Sequence, residues 1–185
     1  MMKSLENHFL IATPSMRDPF FAKSVTYICE HNDEGAMGLI INQPLGIKLD
    51  ELLDQVEIDC DDSNLCARSV YAGGPVQTDR GFVLHSPQPG WSSSLQLADG
   101  LMVTTSKDIL AALGAGNAPN EYIVTLGYAG WEAGQLEQEL LDNAWLTVPA
   151  DPEILFATPV EKRWEVAMSR LGFDLAQFSP DVGHA

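Results

Sequence analysis

Apolar positions along this chain fall in short runs whose period switches between two and about 3.6 residues, the alternation expected of mixed strand and helix. Asn7 to Ala12 and Ser24 to His31 predict strands, separated by a loop that carries Pro14, Met16, Arg17, Asp18 and Pro19. Asn32-Asp33-Glu34-Gly35 supplies turn chemistry and Ala36 to Asn42 resumes a buried strand, so Ser24 to Asn42 reads as a hairpin that Pro44 ends. Leu49, Leu52, Leu53 and Val56 share one helix face, with Asp50, Glu51 and Asp54 on the other. An acidic loop, Glu57 to Asn64, follows.

The middle of the chain predicts short antiparallel strands at Ser69–Ala72, Phe82–His85, Leu95–Ala98 and Leu101–Thr104, broken by Gly73-Gly74-Pro75 and Pro87-Gln88-Pro89-Gly90. Thr105 and Asp108 match a capping box ahead of a helix carrying Ile109, Leu110 and Leu113, which Gly114 is expected to stop. Tyr122 to Leu126 predicts a strand and Gly127-Tyr128-Ala129-Gly130-Trp131 a turn. In the helix that follows, Ala133, Leu136, Leu140 and Leu141 form the packing stripe. Trp145–Val148 and Ile154–Phe156 predict strands. Thr158-Pro159-Val160-Glu161 opens a last helix whose buried stripe is Val160, Trp164, Ala167, Met168 and Leu171, with Gly172 as its stop. Phe173 to Ala185 has no period and reads as a surface tail.

The ordered blocks resemble the AlgH/YqgE family of bacterial proteins over nearly the whole chain. The carriers are Phe9-Leu10-Ile11-Ala12 with Pro14, Met16, Asp18-Pro19 and Phe21; Ser24-Val25 with Tyr27 to His31; and Gly35 to Asn42. Further on come Tyr71 to Val76, Arg80 to Ser86, Thr104-Thr105-Ser106, the run Leu126 to Leu146 and the closing Gly183-His184-Ala185. The resemblance implies a single compact domain of mixed α/β (α+β) class over residues 1–185, with a largely antiparallel, irregular, partly barrel-like sheet and flanking helices. It also implies an association with transcriptional control, without a DNA-binding motif or agreed catalytic residues.

Composition narrows the function classes. The chain of 185 residues is 45% apolar and 19% charged, an ordinary globular balance. Asp and Glu number 26 against 10 Lys and Arg, a formal charge of −16, and the cations are scattered, so direct nucleic-acid binding is disfavoured. No apolar run reaches the roughly 18 residues of a spanning helix and Met1 to His8 lacks a leader pattern, so a cytoplasmic protein with no membrane contact is expected, monomeric or weakly self-associating. Cys29, Cys60 and Cys66 form no C-x-x-C pair. Reduced thiols, no metal and no cofactor are therefore expected.

Candidate chemistry is diffuse. Gly73-Gly74-Pro75 near Arg80 offers backbone amides and a guanidinium to an anion, against the simpler reading of a tight turn. His31, His85, Ser86, Ser106, Asp18 and Asp79 are the residue types of a hydrolytic triad, but no G-x-S-x-G elbow marks a nucleophile, and His85 and His31 read as strand-end structural residues. The preferred candidate ligand-binding surface joins Met16, Asp18, Phe20, Asn42, Gly73, Gly74, Arg80, Tyr128 and Trp131. The expected function is non-enzymatic binding of a protein or small ligand, with indirect regulation as its setting. The rivals are a hydrolytic enzyme using His85 with Ser86 or Asp18, and a direct DNA-binding regulator.

Overall fold

The computed structural model describes residues 4–171 apart from Arg17, Phe20, Asp62, Asp99 and Ala118. The candidate Phe20, the stop at Gly172, the tail Phe173–Ala185 and its Gly183-His184-Ala185 block lie outside the described residues. In chain order the elements are β1 (His8–Ala12), β2 (Val25–Asn32), β3 (Gly35–Ile40), β4 (Pro44–Lys48), α1 (Leu49–Gln55), α2 (Ser63–Cys66), β5 (Ser69–Ala72), β6 (Val76–His85) and β7 (Ser94–Ala98). Then come β8 (Leu101–Thr104), α3 (Lys107–Gly114), β9 (Tyr122–Glu132), α4 (Gln135–Leu141), β10 (Trp145–Pro149), α5 (Pro152–Phe156), a 3-10 turn (Val160–Lys162) and α6 (Arg163–Ser169). The class is mixed α/β, with largely antiparallel strand pairing and flanking helices, as expected.

These elements gather into two compact units, one from residues 1–42 and 129–185, the other from 43–128. In the first, β10, β1, β2, β3 and the end of β9 pair side by side, all antiparallel. Leu10, Ala12, Ile28, Ala129 and Trp131 on these strands pack with Leu136 of α4 and Trp145 of β10. Phe9 to Ala12 are all buried, which is why β1 is continuously apolar rather than alternating. The buried Ala167 and Met168 belong to α6, which packs on β1 and β2. Trp164 Nε1 donates to the Ala12 carbonyl at 2.9 Å, and the buried Arg163 donates to the Thr158 carbonyl at 3.0 Å and to the Ile41 carbonyl. Two carbonyl acceptors give this buried guanidinium hydrogen bonds that offset part of the cost of taking its charge out of water.

In the second unit the start of β9 pairs with β6, then β8 and β7, all antiparallel, while β5 runs parallel to β9 and pairs with β4. Its core is Leu49, Leu52 and Leu53 of α1, Ile109 and Leu113 of α3, and Leu65, Val70, Val83, Tyr122 and Val124. Burying a Leu or Ile side chain contributes about 1.5–3 kcal/mol each, so the α1 and α3 stripes fix these helices on the strands.

Several expectations are corrected. Ile154–Phe156 is the end of α5, not a strand: Asp151 caps the helix by accepting from Glu153 N at 3.0 Å, and Pro152 sits at its first position. The predicted turn at Gly127–Trp131 is instead strand, because β9 continues through it to Glu132. Thr158 does not cap a helix, since its hydroxyl donates back to the Glu153 carbonyl at 3.1 Å. Gly114 lies inside α3, and Ser106, not Thr105, is the N-cap position. Ala133 and Leu141 are exposed, so only Leu136 and, in part, Leu140 of the predicted α4 stripe pack. The apolar pattern also missed β4 after Pro44, as only partly buried Ile47 packs inward from it. The largest correction concerns the thiols: Cys60 and Cys66 form a disulfide, while Cys29 is free and buried.

Candidate functional site

The glycines of β9 serve backbone proximity. Gly127 holds a left-handed φ of 78°, and a Cβ there would fall 2.4 Å from the Gly74 carbonyl oxygen. Reciprocally, a Cβ on Gly73 would fall 2.4 Å from the Gly127 carbonyl oxygen. The Gly73 amide donates to Leu126 O at 2.7 Å, so this donor of the anion-cradle candidate is engaged by the chain itself. Arg80 is exposed and stacks 5.4 Å over Phe82, whose ring meets Tyr128 edge-on at 5.9 Å. Thus Arg80, Phe82 and Tyr128 form one column and Gly73, Gly74 and Gly127 one crossing.

In the other unit Trp131 is buried, with 7% of its surface exposed. Its Nε1 and that of Trp145 both donate to Glu139 Oε1 at 2.9 Å, while Glu139 Oε2 accepts from Gln135 at 3.0 Å. The two indoles meet edge-on at 6.2 Å. Met16 packs against the same cluster. Asn42 bridges backbone groups: its Oδ1 accepts from Val25 N and its Nδ2 donates to Lys23 O, each at 2.9 Å. Asp18 is exposed and its carbonyl accepts from Phe21 N and Ala22 N.

The triad candidates are held in other roles. His85 is fully buried; its Nδ1 lies 2.8 Å from the Ser86 carbonyl and its Nε2 2.7 Å from Thr104 Oγ1. A carbonyl can only accept, so the proton sits on Nδ1, Nε2 accepts from Thr104, and Thr104 Oγ1 in turn accepts from Ser94 Oγ at 2.6 Å. Burial holds the imidazole below its ordinary pKa, against the opposing Ser86 carbonyl. The Ser86 hydroxyl instead accepts from Glu121 N at 3.1 Å. His31 Nδ1 accepts from Leu5 N at 2.9 Å, which places its proton on Nε2 facing Glu137 Oε1 at 3.5 Å. Ser106 Oγ donates to Asp108 Oδ1 at 2.5 Å; this bond, then those from Ser92, keep Asp108 below the usual carboxylate range. Asp79 is exposed.

Two concavities in the second unit involve residues absent from the candidate set. A cleft of about 220 Å³ is lined by the apolar side chains of Leu52, Val56, Val83, Ile109, Leu110 and Leu126 and by the polar residues Asp79, Thr104, Thr105, Ser106 and Lys107. Its apolar residues come from α1 and α3 stripes and from strands β6 and β9, which the sequence pattern reads as packing, so periodicity cannot separate them from core. The usable signal is the Thr104-Thr105-Ser106 block, all three of which line the cleft. The other concavity, about 380 Å³, is lined by Cys60, Cys66, Ile58 and the acidic residues Asp50, Glu51, Asp54 and Asp59. Among the described residues no group of His, Cys, Asp or Glu is arranged to hold a metal ion, and no helix is long and apolar enough to cross a membrane.

The same motifs recur in known proteins. The family model described as DUF179, AlgH-like, matches residues 9–176. A UPF0301 protein of Pseudoalteromonas translucida is 66% identical over 185 residues, covering all of both chains, and one of Idiomarina loihiensis is 58% identical with the same coverage. The solution structure of the AlgH protein from Pseudomonas aeruginosa matches with a TM-score of 0.80 at 52% identity, covering 100% of each chain. A crystal structure of the protein DIP2367 from Corynebacterium diphtheriae, 23% identical, shares the fold with a TM-score of 0.76 over 96% of this chain and 93% of its own. The chain therefore belongs to the AlgH-like family.

Proposed function

We propose that the protein is a non-enzymatic, cytoplasmic binding protein that holds the short aliphatic body of a small ligand in the cleft between α1, α3, β6 and β9, and that any regulatory effect it has is indirect. The observation that carries this reading is the cleft itself: a mainly apolar lining with a few polar groups is the usual composition of a ligand site. At about 220 Å³ it suits a small molecule better than a drug-sized one. The histidine most suited to general-base work, His85, is fully buried and has both nitrogens engaged, which supports binding over hydrolysis. With a formal charge of −16, a nucleic-acid partner is disfavoured.

The test is methyl-detected NMR with a library of small aliphatic acids, amines and alcohols. Shifts confined to Leu52, Leu110 and Leu126, abolished by filling the cleft with Leu110→Trp in a folded variant, are expected. Ligand-induced shifts centred on Arg80 and Tyr128 or on Trp131, untouched by Leu110→Trp, would move the site elsewhere. No saturable shift with any library class would overturn the reading.

A further inference from the structure

We propose that Cys60–Cys66 is an exchangeable disulfide that reacts with neutral or cationic thiols, discriminates against anionic ones, and on opening frees the Ile58–Asp61 strap from α3. Three observations on the same segment carry this. Both cysteines line an open concavity, which gives a small thiol access to the bond. The concavity is walled by Asp50, Glu51, Asp54 and Asp59 with no cation among its described lining residues, so a second negative charge on the attacking thiolate adds repulsion and an ammonium group on it offsets repulsion. The Ile58–Asp61 strap, which carries Cys60, is docked on α3: the Asp61 amide donates to the Gly114 carbonyl at 2.8 Å, and the Asp59 carbonyl lies where a Gly114 Cβ would meet it at 2.3 Å. Gly114 is therefore the socket that lets the strap approach the helix. Cys60 packs against the core of the unit while Cys66 ends α2, so the bond joins the docked strap to a separate element.

The exchange balances as a two-electron reduction. A thiolate attacks Cys66 Sγ, a new S–S bond forms as the Cys60–Cys66 bond breaks, and Cys60 leaves as a thiolate that takes a proton. A second thiol displaces the first from Cys66, releasing a small-molecule disulfide and leaving two protein thiols; the same couple run backwards closes the bond. Cys29 is the internal reference. It is buried, and burial, then the charge of Glu30, pushes its thiol up to about 12, so it stays unreactive while the folded chain is probed. This inference does not depend on what the cleft holds.

The test uses the folded full chain and three reductants: cysteamine (cationic amine), 2-mercaptoethanol (neutral) and 2-mercaptoethanesulfonate (anionic). Opening is followed by maleimide quenching and intact mass, with each rate divided by that thiol's rate on an uncharged model disulfide. The expected order is cationic, neutral, anionic, spanning roughly tenfold or more at ~10 mM salt and collapsing towards unity at ~1 M, where the screening length is about 3 Å. Asp54→Asn with Asp59→Asn should narrow the span. On reduction, hydrogen exchange at Asp61 should accelerate while the β6–β9 ladder stays protected. Rates independent of reductant charge, opening only after denaturation, or unchanged exchange at Asp61 in the reduced chain would each overturn the proposal.

Discussion

Gly127 and Gly116 have nearly the same backbone, φ 78° and 82°, but different surroundings: Gly127 is crossed by the Gly74 carbonyl, whereas no described residue lies within 4 Å of a Cβ on Gly116. Both pay for a left-handed side chain, about 1–2 kcal/mol, but only Gly127 adds overpacking of about 1–3 kcal/mol. Gly127→Ala should therefore lower the denaturant midpoint by clearly more than Gly116→Ala; equal losses would show that the crossing tolerates a methyl group. His85 supplies a pH signature. Its folded pKa lies below the unfolded value of about 6.5, so the unfolded chain takes up a proton first as pH falls. Its contribution is complete above that pH and is lost towards the lower folded pKa, with a slope of at most about 1.4 kcal/mol per pH unit. Urea melts between pH 7 and 5 should show a shallower acid loss in His85→Gln than in wild type. At this scale the sequence showed which residues were unusual but not their partners. The structural reading of His85 and His31 follows from strand-end position, while the sharing of Glu139 by Trp131 and Trp145 depends on three elements meeting.

Elements were legible wherever one physical signal dominated. The hairpin of β2 and β3, the strands β1, β8 and β10, and the buried stripe of α1 follow directly from apolar period and turn residues. Misreadings arose where two signals competed. In Ile154-Leu155-Phe156 the apolar run suggests a strand, yet Asp151 and Pro152 start a helix and the start signal wins. Asp151→Ala should thus destabilise the protein by about 1 kcal/mol, with loss confined to α5 and its neighbours by hydrogen exchange; the substitution also removes the 3.3 Å contact to Arg170. An unchanged melting curve would mean that packing of Ile154 and Leu155 alone holds the helix. In β9 the glycines suggest a turn, but Ala36↔Trp131 and Gly38↔Ala129 pairing keeps the chain extended. Cys60 and Cys66 were unreadable for another reason: six residues of separation permit a bond without requiring it.

For the whole molecule, charge is the property that composition states outright. A formal charge of −16 repels itself in any compact state, so the melting temperature should rise as salt goes from ~10 mM to ~150 mM, where the screening length falls to about 8 Å. A flat or falling curve in calorimetry would mean that the carboxylates are already locally compensated. The candidate surface was less legible than the fold. Its described members fall in both units, and the cleft instead draws on residues whose periodicity reads as ordinary packing. One further consequence lies in the order in which the chain is made. Residues 43–128 are contiguous, whereas the other unit needs both 1–42 and the segment beginning at Ala129. During synthesis the contiguous unit is thus complete as soon as Tyr128 clears the ribosome. Strands β1, β2 and β3 are made first, yet their unit closes only after the end of β9 and then β10, the antiparallel neighbour of β1, have followed.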